Sequence, residues 1–262
     1  MNMEIIGPFI LTIISGFSTM IGIIPIYFKI SRVEDIISFT LSFSYFFLLS
    51  ICIFDLIPSS ISIIINNKEL LGVLLSIIIF IIGYLIIFLI KVKEDKSSLY
   101  RIGIISLISL VLHNIPEGII VFISSYKNIK IGLKTVIAII FHNIPEGLLI
   151  SIPIYYSKES RGNVFKKVLL ASISEPFGAL LSYTIIGKEV SDVILSYILI
   201  FVSGLMISLC FNEIGHEILK YNNKRCIIFG FILSIILITI LSILNWKGEE
   251  NRIECNWNRE MK

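Results

Sequence analysis

The chain has 262 residues, 56% of them hydrophobic and 16% charged, with a mean hydropathy of +0.93. Soluble domains are roughly 45–50% apolar and about 25% charged, and disordered chains need low hydrophobicity, so both classes are excluded and a polytopic membrane protein is expected. A net charge of +3 without a basic stripe speaks against a nucleic-acid partner, and four cysteines without a CxxC pair indicate neither a disulfide framework nor a thiolate zinc site.

A helix needs about 20 apolar residues to cross a bilayer. That ruler predicts eight spans, at roughly 5–28, 36–65, 70–90, 102–125, 133–156, 166–187, 192–219 and 226–246. The first lacks a positive n-region and is too long for an h-region, so it reads as a span and not as a cleaved signal. Stretches this continuous satisfy their backbone as helices, not as barrel strands. The expected fold is therefore all-α, with one membrane domain over 1–246 and a short polar extracytoplasmic tail over 247–262. Every Lys and Arg is placed in a loop or the tail. The odd-numbered loops hold 13 of them and the even-numbered loops 5. The positive-inside rule then puts the odd loops in the cytoplasm of a cell-membrane protein and both termini outside.

Two internal echoes stand out. His113-Asn114-Ile115-Pro116-Glu117-Gly118 recurs residue for residue as His142-Asn143-Ile144-Pro145-Glu146-Gly147. More weakly, Ser50-Ile51-Cys52-Ile53-Phe54-Asp55 aligns with Ser208-Leu209-Cys210-Phe211-Asn212-Glu213, the kind of internal symmetry that inverted-repeat transporters show.

An ionised side chain in hydrocarbon costs at least about 2.5–3.5 kcal/mol on insertion scales, so each one is a functional candidate. The spans contain Asp55, Glu117, Glu146, Glu175 and Glu213, with Glu217 near an end, and all three histidines, His113, His142 and His216. No Lys or Arg is expected among them, and carboxylates with imidazoles and no basic partner call for a cation. His113 and Glu117 are i,i+4 and share one helix face, as do His142 and Glu146. Pro116 and Pro145 each remove an interior N–H and clash with the preceding turn, so the fourth and fifth spans are expected to be broken helices. Gly118 and Gly147 allow a neighbouring helix to come close. Together the two faces offer two imidazoles, two carboxylates and the amides of Asn114 and Asn143, and Glu175 beside Pro176 can add a further anionic ligand. Imidazole with carboxylate suits zinc, ferrous iron or manganese and not Cu(I). Six polar ligands exceed the need of one tetrahedral zinc, so two metals bridged by Glu117 and Glu146 are expected. Asp55, Glu213, His216 and Glu217 lie toward helix ends, where an entrance or exit, or simply a cap, accounts for them.

Two such motifs on the fourth and fifth of eight spans resemble the ZIP family of divalent-metal transporters, closest to its bacterial zinc-uptake branch. The resemblance covers about residues 5–246 and includes Ser174-Glu175-Pro176 with Gly178-Ala179 on the sixth span. It implies a primary site of His113, Glu117, His142 and Glu146. It also implies an adjacent second site of Asn114, Asn143 and Glu175, with the motif glutamates bridging the two. A homodimer is implied as well, in which spans one, four, five and six carry metal past a scaffold of two, three, seven and eight. The chain departs from the family in two places. Lys91–Arg101 has no histidine-rich segment, and Glu213-Ile214-Gly215-His216-Glu217 has Gly and His where many relatives have an apolar residue and Pro. Uptake of Zn²⁺, with Fe²⁺, Mn²⁺ or Cd²⁺ as other candidates, is the expected function, with the metal as substrate and no cofactor. No phosphate-binding loop of the GxxxxGK[ST] type occurs. The competing reading is an intramembrane zinc hydrolase with His113, His142 and His216 as its ligands.

Overall fold

The structure is a computed structural model that describes residues 3–66, 70–90, 92, 97–186, 191–221 and 223–260. Its regular elements are all helical, with no strand among the described residues. α1 (Met3–Phe17) continues as a 3₁₀ helix over Ser18–Tyr27. α2 (Val33–Ile51), a π-helical turn (Cys52–Leu56) and α3 (Ile57–Asn66) form one long rod. α4 (Leu70–Leu89), α5 (Ser98–Lys127) and α6 (Ile129–Tyr156) follow. α7 (Arg161–Leu181) ends in a π turn, Ser182–Ile186. α8 (Asp192–Leu209), a third π turn (Cys210–Ile214) and α9 (Gly215–Tyr221) form a second rod, and α10 spans Lys224–Glu260 without a break at 246. The protein is an all-α integral membrane protein.

Among the described residues, seven stretches are long and apolar enough to cross a membrane: Ile5–Tyr27, Val33–Asn66, Leu71–Leu89, Ser98–Lys127, Ile129–Tyr156, Asp192–Tyr221 and Lys224–Ile243. The expected sixth span coincides with α7, which falls outside this set because it is polar and not because it is short. With its π turn α7 has 21 and 5 residues, about 39 Å at 1.5 Å per residue. Ser172, Ser174 and Glu175 are buried against other helices, while Leu170, Ile173, Phe177 and Leu180 face outward. Average hydropathy underrates a helix whose polar face is covered by protein.

Two expectations are corrected. First, the basic residues are not confined to loops. Ser97 caps α5 by accepting a hydrogen bond from the Tyr100 N–H at 3.3 Å, so the helix starts before the apolar run and takes in Arg101. Second, the helices are not broken at the motif prolines. α5 and α6 run uninterrupted through Pro116 and Pro145. Each proline deletes one ladder hydrogen bond, and the bonds on either side hold the helix together.

The helices pack as two groups. α1 and its 3₁₀ extension lie against α5, α6 and α7, and α5 packs on both α6 and α7. The second group pairs α4 with α8 and α10 with α2. Contacts of α2 with α6 and of α5 with α8 join the two. This is the partition that the resemblance implies. The shared core includes Ile102, Ile105 and Leu110 of α5 and Leu205 and Leu209 of α8. Small residues set the close approaches in the first group. A Cβ on Gly118 would collide with the Glu175 backbone, and one on Gly147 with the Thr19 carbonyl.

The weaker sequence echo has a structural counterpart. Two of the three π turns overlap its matched segments, closed by Ile57 N–H to the Cys52 carbonyl and by Gly215 N–H to the Cys210 carbonyl. Asp55 and Glu213 therefore occupy the same place in corresponding π turns, a type of distortion that often marks functional positions.

Candidate metal centre

The i,i+4 spacing on α5 brings His113 Nε2 to 2.8 Å from Glu117 Oε1. The same carboxylate oxygen lies 2.7 Å from His142 Nε2 on α6, a close approach without hydrogen-bond geometry, since that nitrogen has no hydrogen-bond partner. His113 Nε2 is also 3.6 Å from Glu146 Oε1. The imidazole rings are inclined at 43°, with centroids 6.1 Å apart. His113, His142 and Glu146 each offer a ligand atom within 4.8 Å of the others. Both copies of the motif thus converge on one small volume.

Asn114 and Asn143 orient the rest. One residue beyond its histidine, each amide is turned toward a different neighbour. Asn114 Nδ2 donates to the Ala171 carbonyl on α7 at 3.1 Å. Asn143 Nδ2 donates to the Ser15 carbonyl on α1 at 2.9 Å and to Glu175 Oε1. Using the amide N–H groups in this way leaves both side-chain carbonyls free. Gly118 lets α7 approach closely enough for Glu175 to join the group.

One buried side-chain atom on each of the seven residues is unpartnered: His113 Nδ1, Asn114 Oδ1, Glu117 Oε2, His142 Nε2, Asn143 Oδ1, Glu146 Oε2 and Glu175 Oε2. Buried polar atoms are ordinarily paired, and an orphan costs about 1–3 kcal/mol. Every oxygen in this set accepts and none donates when the carboxylates are ionised, so a cation is the species that satisfies them together. The donor set of nitrogens and oxygens without sulfur fits a borderline divalent ion such as zinc.

The four outlying candidates lie elsewhere. Asp55 is exposed on its π turn yet close enough to interact electrostatically with His142 and Glu117. Glu213 is buried and bound by Arg101, whose Nη2 donates to Oε1 at 2.7 Å and whose Nε donates to Oε2 at 3.0 Å. Glu217 accepts from Ser98 Oγ at 3.0 Å and from Lys220 Nζ at 2.6 Å. The expectation of acidic groups without basic partners is therefore corrected for these two, because Arg101 and Lys220 sit in helical turns beside them. His216 is exposed and stands apart from the cluster of His113, His142 and Glu146. That removes the three-histidine hydrolase reading, which needs all three imidazoles on one ion.

The sequence reading missed the supports from outside the motif: the Ser15 and Ala171 carbonyls, and Ser44 Oγ on α2, which donates to the Pro145 carbonyl at 3.0 Å. A signal existed for the first helix, where Thr12, Ser15 and Thr19 fall on one face and are all buried.

The sequence profile of the family described as ZIP Zinc transporter matches residues 90–244. Zinc transporter ZupT of Chlorobium luteolum is 38% identical over 152 residues, 58% of this chain and 57% of that protein. The protein of the same name from Clostridium perfringens is 32% identical over 157 residues, 58% of this chain and 55% of its own length. The chain thus spans little more than half the length of these two relatives. A match to Zinc transporter ZupT of Streptococcus mutans, 27% identical over 264 residues, covers 93% of this chain and 99% of that one.

Proposed function

The chain belongs to the ZIP zinc transporter family, and from that membership we propose that it carries divalent transition metal, zinc foremost, across the cell membrane into the cytosol. The observation that carries the proposal is the set of seven buried, unpartnered ligand atoms on the duplicated motif and Glu175. His113, Glu117, His142 and Glu146 hold the ion first, and Asn114, Asn143 and Glu175 provide the adjoining site. Fe²⁺, Mn²⁺ and Cd²⁺ share the donor preferences and are the competing substrates.

The path runs from the outer half of the rod that carries Asp55 to the opposite ends of α5 and α9, where the exposed His216 receives the ion. Both termini, with the tail 247–262, lie outside the cell, and the membrane domain 1–246 carries out transport as a homodimer. The grouping of α1, α5, α6 and α7 supports a mechanism in which this set moves as a body against the rest. Metal flows down its own gradient and no nucleotide is consumed.

Zinc uptake into proteoliposomes containing the purified chain tests this reading. The native protein is expected to give saturable uptake, and His142→Ala with Glu146→Ala is expected to abolish it. Tight zinc binding with no entry into the lumen under any gradient refutes transport.

A further inference from the structure

A groove of about 580 Å³ opens where α2 and α10 enter the membrane. Arg32 and Arg225 stand on it, and Ile36, Phe39 and Phe229 form its wall. Both helices begin here, at Val33 and Lys224, and both candidate membrane spans begin at the same residues. The rim is therefore at the membrane–water boundary, and the aromatic wall descends into the hydrocarbon.

The charges at the rim are only partly used. Arg225 is exposed, with no hydrogen bond or ion pair among the described residues. Arg32 Nη1 is 3.7 Å from Asp35 Oδ2, beyond hydrogen-bond distance, and its side chain is 84% exposed. Asp35 is engaged elsewhere, its Oδ1 accepting from Asn223 Nδ2 at 2.7 Å. Exposed Lys29 and Lys224 flank the rim, with Glu34 as the other nearby acid. The balance is positive, and a guanidinium fork matches the oxygens of a phosphate. Below it, the Phe39 and Phe229 rings lie 5.6 Å apart and inclined at 39°.

We propose that this groove binds one anionic phospholipid, its phosphodiester held by Arg32 and Arg225 and an acyl chain laid along Phe39 and Phe229. A soluble anion makes no use of the apolar wall, and a zwitterionic lipid gains little from the exposed guanidinium groups. The groove belongs to the side marked by the excess of basic loop residues, the leaflet to which juxtamembrane basic groups are drawn by anionic headgroups. The site is separate from the metal centre and stands independently of the transport reading.

Native mass spectrometry of the full chain, released from mixed phosphatidylglycerol and phosphatidylcholine micelles, tests the proposal. The native protein is expected to retain one phosphatidylglycerol at least tenfold over phosphatidylcholine. Arg32→Gln with Arg225→Gln is expected to reduce that preference to within about twofold of none. Arg32→Lys with Arg225→Lys keeps the charge and most of the preference, which separates lost attraction from lost fold. Lys158→Gln with Lys166→Gln removes the same charge from another exposed region and leaves the preference intact. No preference in the native protein, its survival in the glutamine variant, or an equal loss in the Lys158 and Lys166 control overturns the proposal.

Discussion

Glu213 is 8% exposed and takes three hydrogen bonds from the Arg101 guanidinium, at 2.7, 3.0 and 3.3 Å. Breaking a fully buried ion pair from one side costs about 3–5 kcal/mol, because it strands a charge. The Arg101 side chain is 54% exposed, so water screens the pair and about 1 kcal/mol is the appropriate scale. Arg101→Met is therefore expected to lower thermal stability in detergent. Adding Glu213→Met, which removes the stranded carboxylate, is expected to recover most of the loss. Equal melting of the single and double variants removes the coupling. The same reasoning distinguishes Glu213 from Glu175. Glu213 has a cationic partner, whereas Glu175 has an amide on one oxygen and nothing on the other, which suits a ligand.

At the scale of the element, the two copies of the motif are brought together by helices that approach closely and do not break. Gly118 lies against the Glu175 backbone, and Gly178 lies reciprocally against the Ile115 carbonyl. Replacing Gly118 with Leu forces α5 away from α7 and carries Glu175 from the cluster. Overpacking of this kind costs about 1–3 kcal/mol. Gly118→Leu is expected to lower the melting temperature and depress zinc uptake together. Gly162→Leu, where a Cβ meets nothing within 4 Å, should leave both near native values. If Gly118→Leu transports normally, the close packing of α7 is not needed to hold Glu175 in place. The 3₁₀ stretch Ser18–Tyr27 contributes in the same way, with Gly22 against Gly147 and Ser151 Oγ donating to the Gly22 carbonyl at 2.6 Å.

At the scale of the whole molecule, orientation rests on the basic-residue asymmetry, and cysteine labelling in intact cells tests it. In a background without native cysteines, Asn128→Cys is expected to react with a membrane-impermeant maleimide. Glu159→Cys is expected to react only after lysis. The opposite pattern inverts the topology and reverses the direction assigned to the path. The most exposed large apolar side chains, such as Leu71 and Leu89 on α4 and Phe229 on α10, belong to helices whose outer faces meet lipid. The interior is held by packing and by polar groups, since hydrocarbon supplies no hydrophobic drive between helices.

Much of this protein was legible in one dimension, because membrane insertion and metal ligation both act through local patterns. A bilayer demands about 20 apolar residues per helix, so all eight expected spans were read from the sequence, seven of them matching apolar helices among the described residues. The i,i+4 period puts His113 with Glu117 and His142 with Glu146 on single faces, and their repetition marked the candidate centre. Tertiary structure decided what depends on a neighbour. Why α7 can serve as the sixth span with a polar face depends on which helices cover Ser172, Ser174 and Glu175. Whether Glu213 is paired depends on Arg101, 112 positions away, joining α5 through a serine cap. Whether a proline breaks a helix depends on packing on either side of it. Pattern records what a residue can do, and only the partners brought to it in space determine which of its donors and acceptors remain free.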